Sequence, residues 1–292
     1  MDRTLLKDGM TRWVGSMVIM LLAVGAFGSQ QALAQINLTK HNLGSAHVVA
    51  NTRFDGTAEI CVFCHTPYGA DKSAATPLWN RDLAAAITYT TYNSLGTSSQ
   101  DGASAPVGSV SITCLSCHDG GQAMNVMINT PRSALAGAWN GNNPTLAEVT
   151  GGNISNIDVN FRSDHPFGNR YAGGAIATDG PPAAPGLYLN TQMRDRDFSS
   201  AQSAIVNGQT VWWIDTPGGT AGVRDKTDIQ LYTRVAAPVV SPAGVVTAGT
   251  VTGPEPFIEC ASCHDPHTAA NSTFLRIVNT GSAVCLACHS KK

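Results

Sequence analysis

Short apolar runs separate long stretches that carry no period. The first run, residues 14–27, follows Arg3, Lys7 and Arg12 and precedes Ala32-Leu33-Ala34. A basic start, a short apolar middle and a small-x-small site are the three parts of a secretory signal. The run is shorter than the roughly 20 apolar residues a spanning helix needs. Cleavage after Ala34 is therefore expected, removing residues 1–34 and leaving residues 35–292 as one mature domain. No later run is long enough to span a membrane.

The strongest pattern in the mature part is Ser203-Ala204-Ile205-Val206 and Gln209-Thr210-Val211-Trp212-Trp213-Ile214, joined by Asn207-Gly208. Asn-Gly between two β-prone runs predicts a two-residue hairpin. Trp212 and Trp213 are expected to pack one inward and one at an edge. Residues 228–235 and 244–251, rich in Val, Thr and Tyr, are further strand candidates. Residues 78–87 predict a short helix, and residues 133–139 one helical turn or two. Residues 37–50 read as extended or irregular, residues 94–109 as loop, and residues 119–160 show no strong period. In Asp164-His165-Pro166 the proline pushes His165 out of the helical region. The Pro-rich residues 179–186 predict a surface polyproline loop; it separates two halves of the chain without making them independent domains.

Charged residues make up only 13% of the chain, about half the usual share. Gly, Pro, Ala, Ser, Thr and Asn are plentiful, so the chain would fill a core poorly with its own side chains. Of the 18 basic and 20 acidic residues, three and two precede residue 35, which leaves the mature part with a formal charge of −3. No basic patch is present to contact phosphates, so no nucleic-acid partner is expected.

Cysteine supplies the missing chemistry. Cys61-Val62-Phe63-Cys64-His65, Cys114-Leu115-Ser116-Cys117-His118, Cys260-Ala261-Ser262-Cys263-His264 and Cys285-Leu286-Ala287-Cys288-His289 use all eight cysteines. Cys-x-x-Cys-His is the attachment pattern of c-type haem. Two thiols on one short turn reach the two vinyl groups along one porphyrin edge, and the adjoining histidine coordinates the iron. Zinc sites of this kind close with a second Cys pair and need no His after each pair, so zinc and disulfides are the lesser alternatives. Four covalent haem c groups are the expected cofactors, and export fits, since c-type haem is attached outside the bacterial cytoplasm. The predicted fold is a multihaem cytochrome c of mostly irregular loops, with short helices at the haem motifs and a few β-hairpins, organised around a stacked chain of four haems.

Eight histidines match that number. His65, His118, His264 and His289 are the proximal ligands, which leaves His41, His47, His165 and His267 for the four distal positions. Methionine is the rival sixth ligand. Met124 and Met127 lie too close to His118 to cross to the other face of its haem and read as packing residues; Met193 also survives signal removal. His267 follows His264 by three residues, so it is expected to serve a different haem. Ligation by two histidines closes both faces of each iron, which points to electron transfer and not to catalysis.

Lys40-His41-Asn42-Leu43, Cys61-Val62-Phe63-Cys64-His65-Thr66-Pro67-Tyr68-Gly69, Cys114-Leu115-Ser116-Cys117-His118-Asp119-Gly120, and the sequence from Glu259 through His267 resemble the outer-surface tetrahaem cytochromes of metal-reducing bacteria. These include the OmcE-type proteins that polymerise into extracellular cytochrome nanowires. Thr210-Val211-Trp212-Trp213 and Asp228-Ile229-Gln230-Leu231-Tyr232 are also similar to that group. The resemblance implies a filament with one continuous line of haems in alternating parallel and perpendicular pairs. One departure is Tyr68, where many relatives carry His.

The expected function is therefore extracellular electron transfer through a head-to-tail homopolymer, from the cell to other multihaem cytochromes or a distant acceptor such as a metal oxide. A soluble periplasmic tetrahaem shuttle and a multihaem reductase are the competing classes. The first residues of the mature chain have no apolar pattern to fold on. His41, nearer the free end than His47, is expected to cross and complete a haem of the next subunit.

Overall fold

The computed structural model describes residues 35–45, 57–83, 87–95, 104–124, 126–130, 155–176, 180–235 and 254–290. The expected signal segment, the strand expected at 244–251, the turns expected at 133–139 and His47 lie outside the described residues.

Regular structure is concentrated in one antiparallel sheet. Its strands are β1 (Asn169–Arg170), β2 (Gly186–Tyr188), β3 (Ala201–Val206), β4 (Gln209–Ile214), β5 (Ile229–Val235) and β6 (Pro254–Ile258), in the order β1-β6-β5-β4-β3-β2. The β3–β4 hairpin forms as its sequence predicts. Asn207 and Gly208 both take positive φ, 50° and 76°, the backbone a two-residue type I′ turn requires. The register pairs Ser203 with Trp212 and Trp212 with Leu231. That alternation puts Ala201, Trp212, Ile214, Ile229 and Leu231 into one core with Tyr171, Tyr188, Met193 and Ile258.

Trp213 corrects an expectation, because both tryptophans are buried, at 2% and 3% exposure. They occupy opposite faces of β4. Trp213 sits between Gln202 and Gln230 across the strands, and its indole N–H donates to Asp215 Oδ1 at 2.8 Å. On the second face Trp213 and Gln230 are both buried, so neither indole is left at an edge.

The helix expected at 78–87 is absent from the described residues of that stretch. Leu78 has φ 56°, outside the helical region. Its carbonyl accepts from Thr66 N, and Asn80 N donates to Cys64 O. The segment is thus held by the first cysteine motif and not by its own turns. The polyproline loop does lie at the surface, but it does not divide the chain: β1, before it, pairs with β6, after it.

Among the described residues, α-helices occur at the cysteine motifs and their immediate flanks. They are α1 (Ser109–His118), α2 (Cys260–Cys263) and α3 (Ala283–Cys288); Cys61–Phe63 forms a 3-10 turn. The sheet core reaches α3 directly through Cys288, with Val284 and Ala287 packed against it. A separate small core joins Phe63 and Met124, with Leu43, Val62, Cys64 and Met127 around them. The two methionines therefore pack at the first cysteine motif.

A buried ion pair joins the neighbouring strands β1 and β6 at one edge of the sheet. Arg170 Nε lies 2.7 Å from Glu255 Oε2, with both side chains almost fully covered. Gly174, at φ +85°, passes so close that a Cβ there would sit 2.9 Å from Arg170 Cδ.

Candidate haem-attachment sites

Each motif is one helical turn. His65 N donates to Cys61 O at 2.8 Å, His264 N to Cys260 O at 3.2 Å, and His289 N to Cys285 O at 2.9 Å; the second motif closes α1. Residues three and four apart share a helix face, so both thiols and the imidazole of each motif project to the same side. All eight thiols are free. Burial pushes the Cys64 and Cys288 thiols up to about 12 and Cys263 to about 11. Among the described residues no group of three or more His, Cys, Asp or Glu converges as a metal site.

Three of the motif histidines are oriented alike. His65 Nδ1 is 2.8 Å from Pro77 O, His118 Nδ1 2.6 Å from Ser155 O, and His264 Nδ1 2.7 Å from Thr273 O. A carbonyl can only accept, so Nδ1 carries the proton and Nε2 presents its lone pair. That arrangement fixes the tautomer and ring direction of an imidazole ligand.

Two further histidines, His267 and His41, lie near these rings. His267 lies nearly parallel to His65, with centroids 6.2 Å apart and planes at 14°; Asp265 Oδ1, 3.3 Å from its Nδ1, holds it. His41 is 6.0 Å from His118 at 69°, and its other face stacks on Phe274 at 4.3 Å. Burial first, then the charge of His118, lowers the His41 pKa to about 4, against a hydrogen bond at the Pro266 backbone. His165 is also lowered, mainly by burial, and feels His289. Imidazoles bound to opposite faces of one metal, each about 2.0 Å from it and about 1.1 Å further to the ring centre, stand about 6.2 Å apart. The donor set fits haem iron.

Within this chain His41 is docked on the third motif. Gln35–Leu38 form a 3-10 turn, Gln35 N donates to His267 O, and His41 lies against the third motif of its own chain. The segment docks because His267, Pro266 and Phe274 give it hydrogen-bond and stacking partners that no apolar pattern in the sequence announces.

The motifs adjoin one another in chain order. Cys64 and Cys117, Cys114 and Cys260, and Cys263 and Cys285 are electrostatic neighbours. Between the second and third motifs, Ser111 Oγ donates to Glu259 Oε2 at 2.5 Å and accepts from Cys260 N at 3.0 Å. Two further buried donors, Trp79 Nε1 and Arg81 Nε, have no protein partner. Trp79 lies against His65 of the first motif, where the acidic edge of a haem would supply an acceptor for its indole N–H.

The structure also brings out a repeat. In the first motif Thr66 N donates to Leu78 O and Asn80 N to Cys64 O; in the third, Asp265 N donates to Phe274 O and Arg276 N to Cys263 O. Each proximal histidine forms an isolated bridge to the returning strand, His65 with Trp79 and His264 with Leu275. Tyr68 thus occupies the position of His267, and it is 82% exposed. The shared Cys-x-x-Cys-His-x-Pro was the available sequence signal. The return loops differ by three residues, as the His65–Pro77 and His264–Thr273 separations of 12 and 9 show, and that difference conceals the repeat.

Residues 255–292 match the family described as the doubled CXXCH motif. No curated protein matches the chain. The motifs indicate covalently bound haem c and, with it, haem-based electron transfer in the manner of multihaem c-type cytochromes. When bound, haem supplies a one-electron iron couple.

Proposed function

We propose that the chain holds four haem c groups, each iron between two histidines, and acts as one link of an extracellular head-to-tail filament. It would carry electrons from a bacterial cell to a distant acceptor such as a metal oxide. The observation that carries the electron-transfer reading is the near-parallel pair His65 and His267, contributed by different motifs at 6.2 Å. Two such ligands leave an iron no open position for a substrate, and a histidine lent by one motif to another ties two haems together. The proposed pairs are His65 with His267, His118 with His41, and His289 with His165.

That assignment leaves His264 for His47. With His41 engaged in its own chain, His47 becomes the residue proposed to cross between subunits. A head-to-tail contact that does not close into a ring propagates as a filament. The resemblance of the motif flanks to nanowire cytochromes supports this reading, as does the chain-order adjacency of the motifs, which suits a continuous line of haems.

One observation favours the soluble periplasmic shuttle instead. Gln35 and His41 dock on their own chain's third motif, which shortens the free arm available for exchange. Negative-stain imaging of exported material, before and after His47→Ala, separates the two. Filaments that disappear in the variant, leaving haem-loaded subunits, support the crossing histidine. Monodisperse particles from the unaltered protein would establish the shuttle.

A further inference from the structure

At two of the four motifs an arginine from elsewhere in the chain binds the carbonyls between the cysteines. Arg276 donates to Ala261 O at 2.9 Å and Ser262 O at 3.1 Å, and to Lys226 O at 3.0 Å. Arg81 donates to Ser116 O at 2.9 Å, Ala123 O at 2.8 Å and Met124 O at 2.6 Å. Their electrostatic settings differ. Arg276 has Asp265 Oδ2 at 3.9 Å. Arg81 is 1% exposed, and among the described residues no carboxylate comes within ion-pair distance of it. Carbonyl dipoles solvate a guanidinium but cancel none of its charge, and a buried uncompensated cation is costly unless the site makes use of it.

Its charge falls between two attachment sites. Asn80, next to Arg81 in the chain, donates to Val62 O and Cys64 O of the first motif, while the Arg81 guanidinium itself binds Ser116 O inside the second. Reduction adds one electron to an iron, and a fixed positive charge nearby favours the reduced form. We propose that Arg81 is a potential-setting residue, whose buried and uncompensated charge raises the potentials of the haems attached at Cys61 and Cys64 and at Cys114 and Cys117. At an effective dielectric of about 20, a unit charge about 10 Å away shifts a one-electron equilibrium roughly tenfold, and tenfold is 59 mV for one electron.

This inference rests on the haem reading above, and the test keeps the two apart. Intact mass first establishes how many haems each variant carries; a protein without haem would end the haem reading itself. Spectroelectrochemical titration, with NMR assignment of the individual haems, then follows Arg81→Met and Arg81→Lys. Arg81→Met should lower those two haems by about tenfold in their reduced-to-oxidised ratio and leave the other two in place. Arg81→Lys, which keeps the charge, should restore most of the shift. Should Arg81→Met not load fully, Gln122→Glu decides. Gln122 Oε1 already accepts from Arg81 Nη2 at 3.4 Å, so this change sets a carboxylate against the guanidinium without emptying the site. It should lower the same two haems, by roughly threefold for partial compensation. Unmoved potentials in the loaded variants, or a shift shared equally by all four haems, would overturn the proposal.

Discussion

His267→Ala isolates the pairing on which the electron-transfer reading depends. His267 is three residues from His264, yet its ring faces His65, 6.2 Å away and nearly parallel. Two metal–nitrogen bonds of about 2.0 Å plus two nitrogen-to-centroid distances of about 1.1 Å account for that separation, so the iron served by His267 should be the one attached at Cys61 and Cys64. The substitution removes one axial nitrogen and neither thiol. Haem content should therefore stay constant while one haem in four becomes five-coordinate and high-spin. Carbon monoxide titration of the ferrous protein provides the count, with about one molecule bound per chain in the variant and essentially none in the unaltered protein. Adding Cys61→Ala and Cys64→Ala to His267→Ala should abolish that binding. A variant that stays fully low-spin, or one whose carbon monoxide site survives removal of Cys61 and Cys64, would refute the pairing.

His41→Ala should likewise open one haem, the one attached at Cys114 and Cys117, because the His41 ring faces His118 at 6.0 Å; magnetic circular dichroism on the haem-loaded variant checks this. Glu255→Gln should destabilise the protein by about 3–5 kcal/mol, since it strands Arg170 without its partner in a covered site, whereas Arg170→Met combined with Glu255→Leu should come much closer to the unaltered protein. Denaturant unfolding of haem-loaded samples measures both, and a loss under about 1 kcal/mol for Glu255→Gln would count against the ion pair.

What the sequence made legible was local. Asn207-Gly208 specifies its turn through two adjacent residues, and the Cys-x-x-Cys-His turns specify themselves through the i to i+4 hydrogen bond. The stretch 78–87 misled because its apolar spacing is helical while its backbone is governed from a distance. Thr66 and Cys64 take the hydrogen bonds of Leu78 and Asn80, and Leu78 is turned to positive φ. That one of Trp212 and Trp213 would sit at an edge fails because a two-residue alternation says which face a side chain takes, not whether that face is covered; Asp215 and the flanking glutamines lie around Trp213. His41 could be counted as a ligand from the histidine total, but its partner is set by Phe274 and Pro266, more than 200 positions away in the sequence. The role inferred for Arg81 was invisible for the same reason: nothing near residue 81 indicates that its guanidinium ends among the carbonyls of Ser116, Ala123 and Met124.

The central claim is that every iron is enclosed by two histidines, and the electron paramagnetic resonance spectrum of the oxidised, exported protein tests it most directly. Spin quantitation against intact mass should give four haems per chain, all low-spin and bis-histidine, with no high-spin signal. A stoichiometric high-spin component in the unaltered protein would mean that one iron keeps an open position, and would move the account from an electron conduit toward a multihaem reductase.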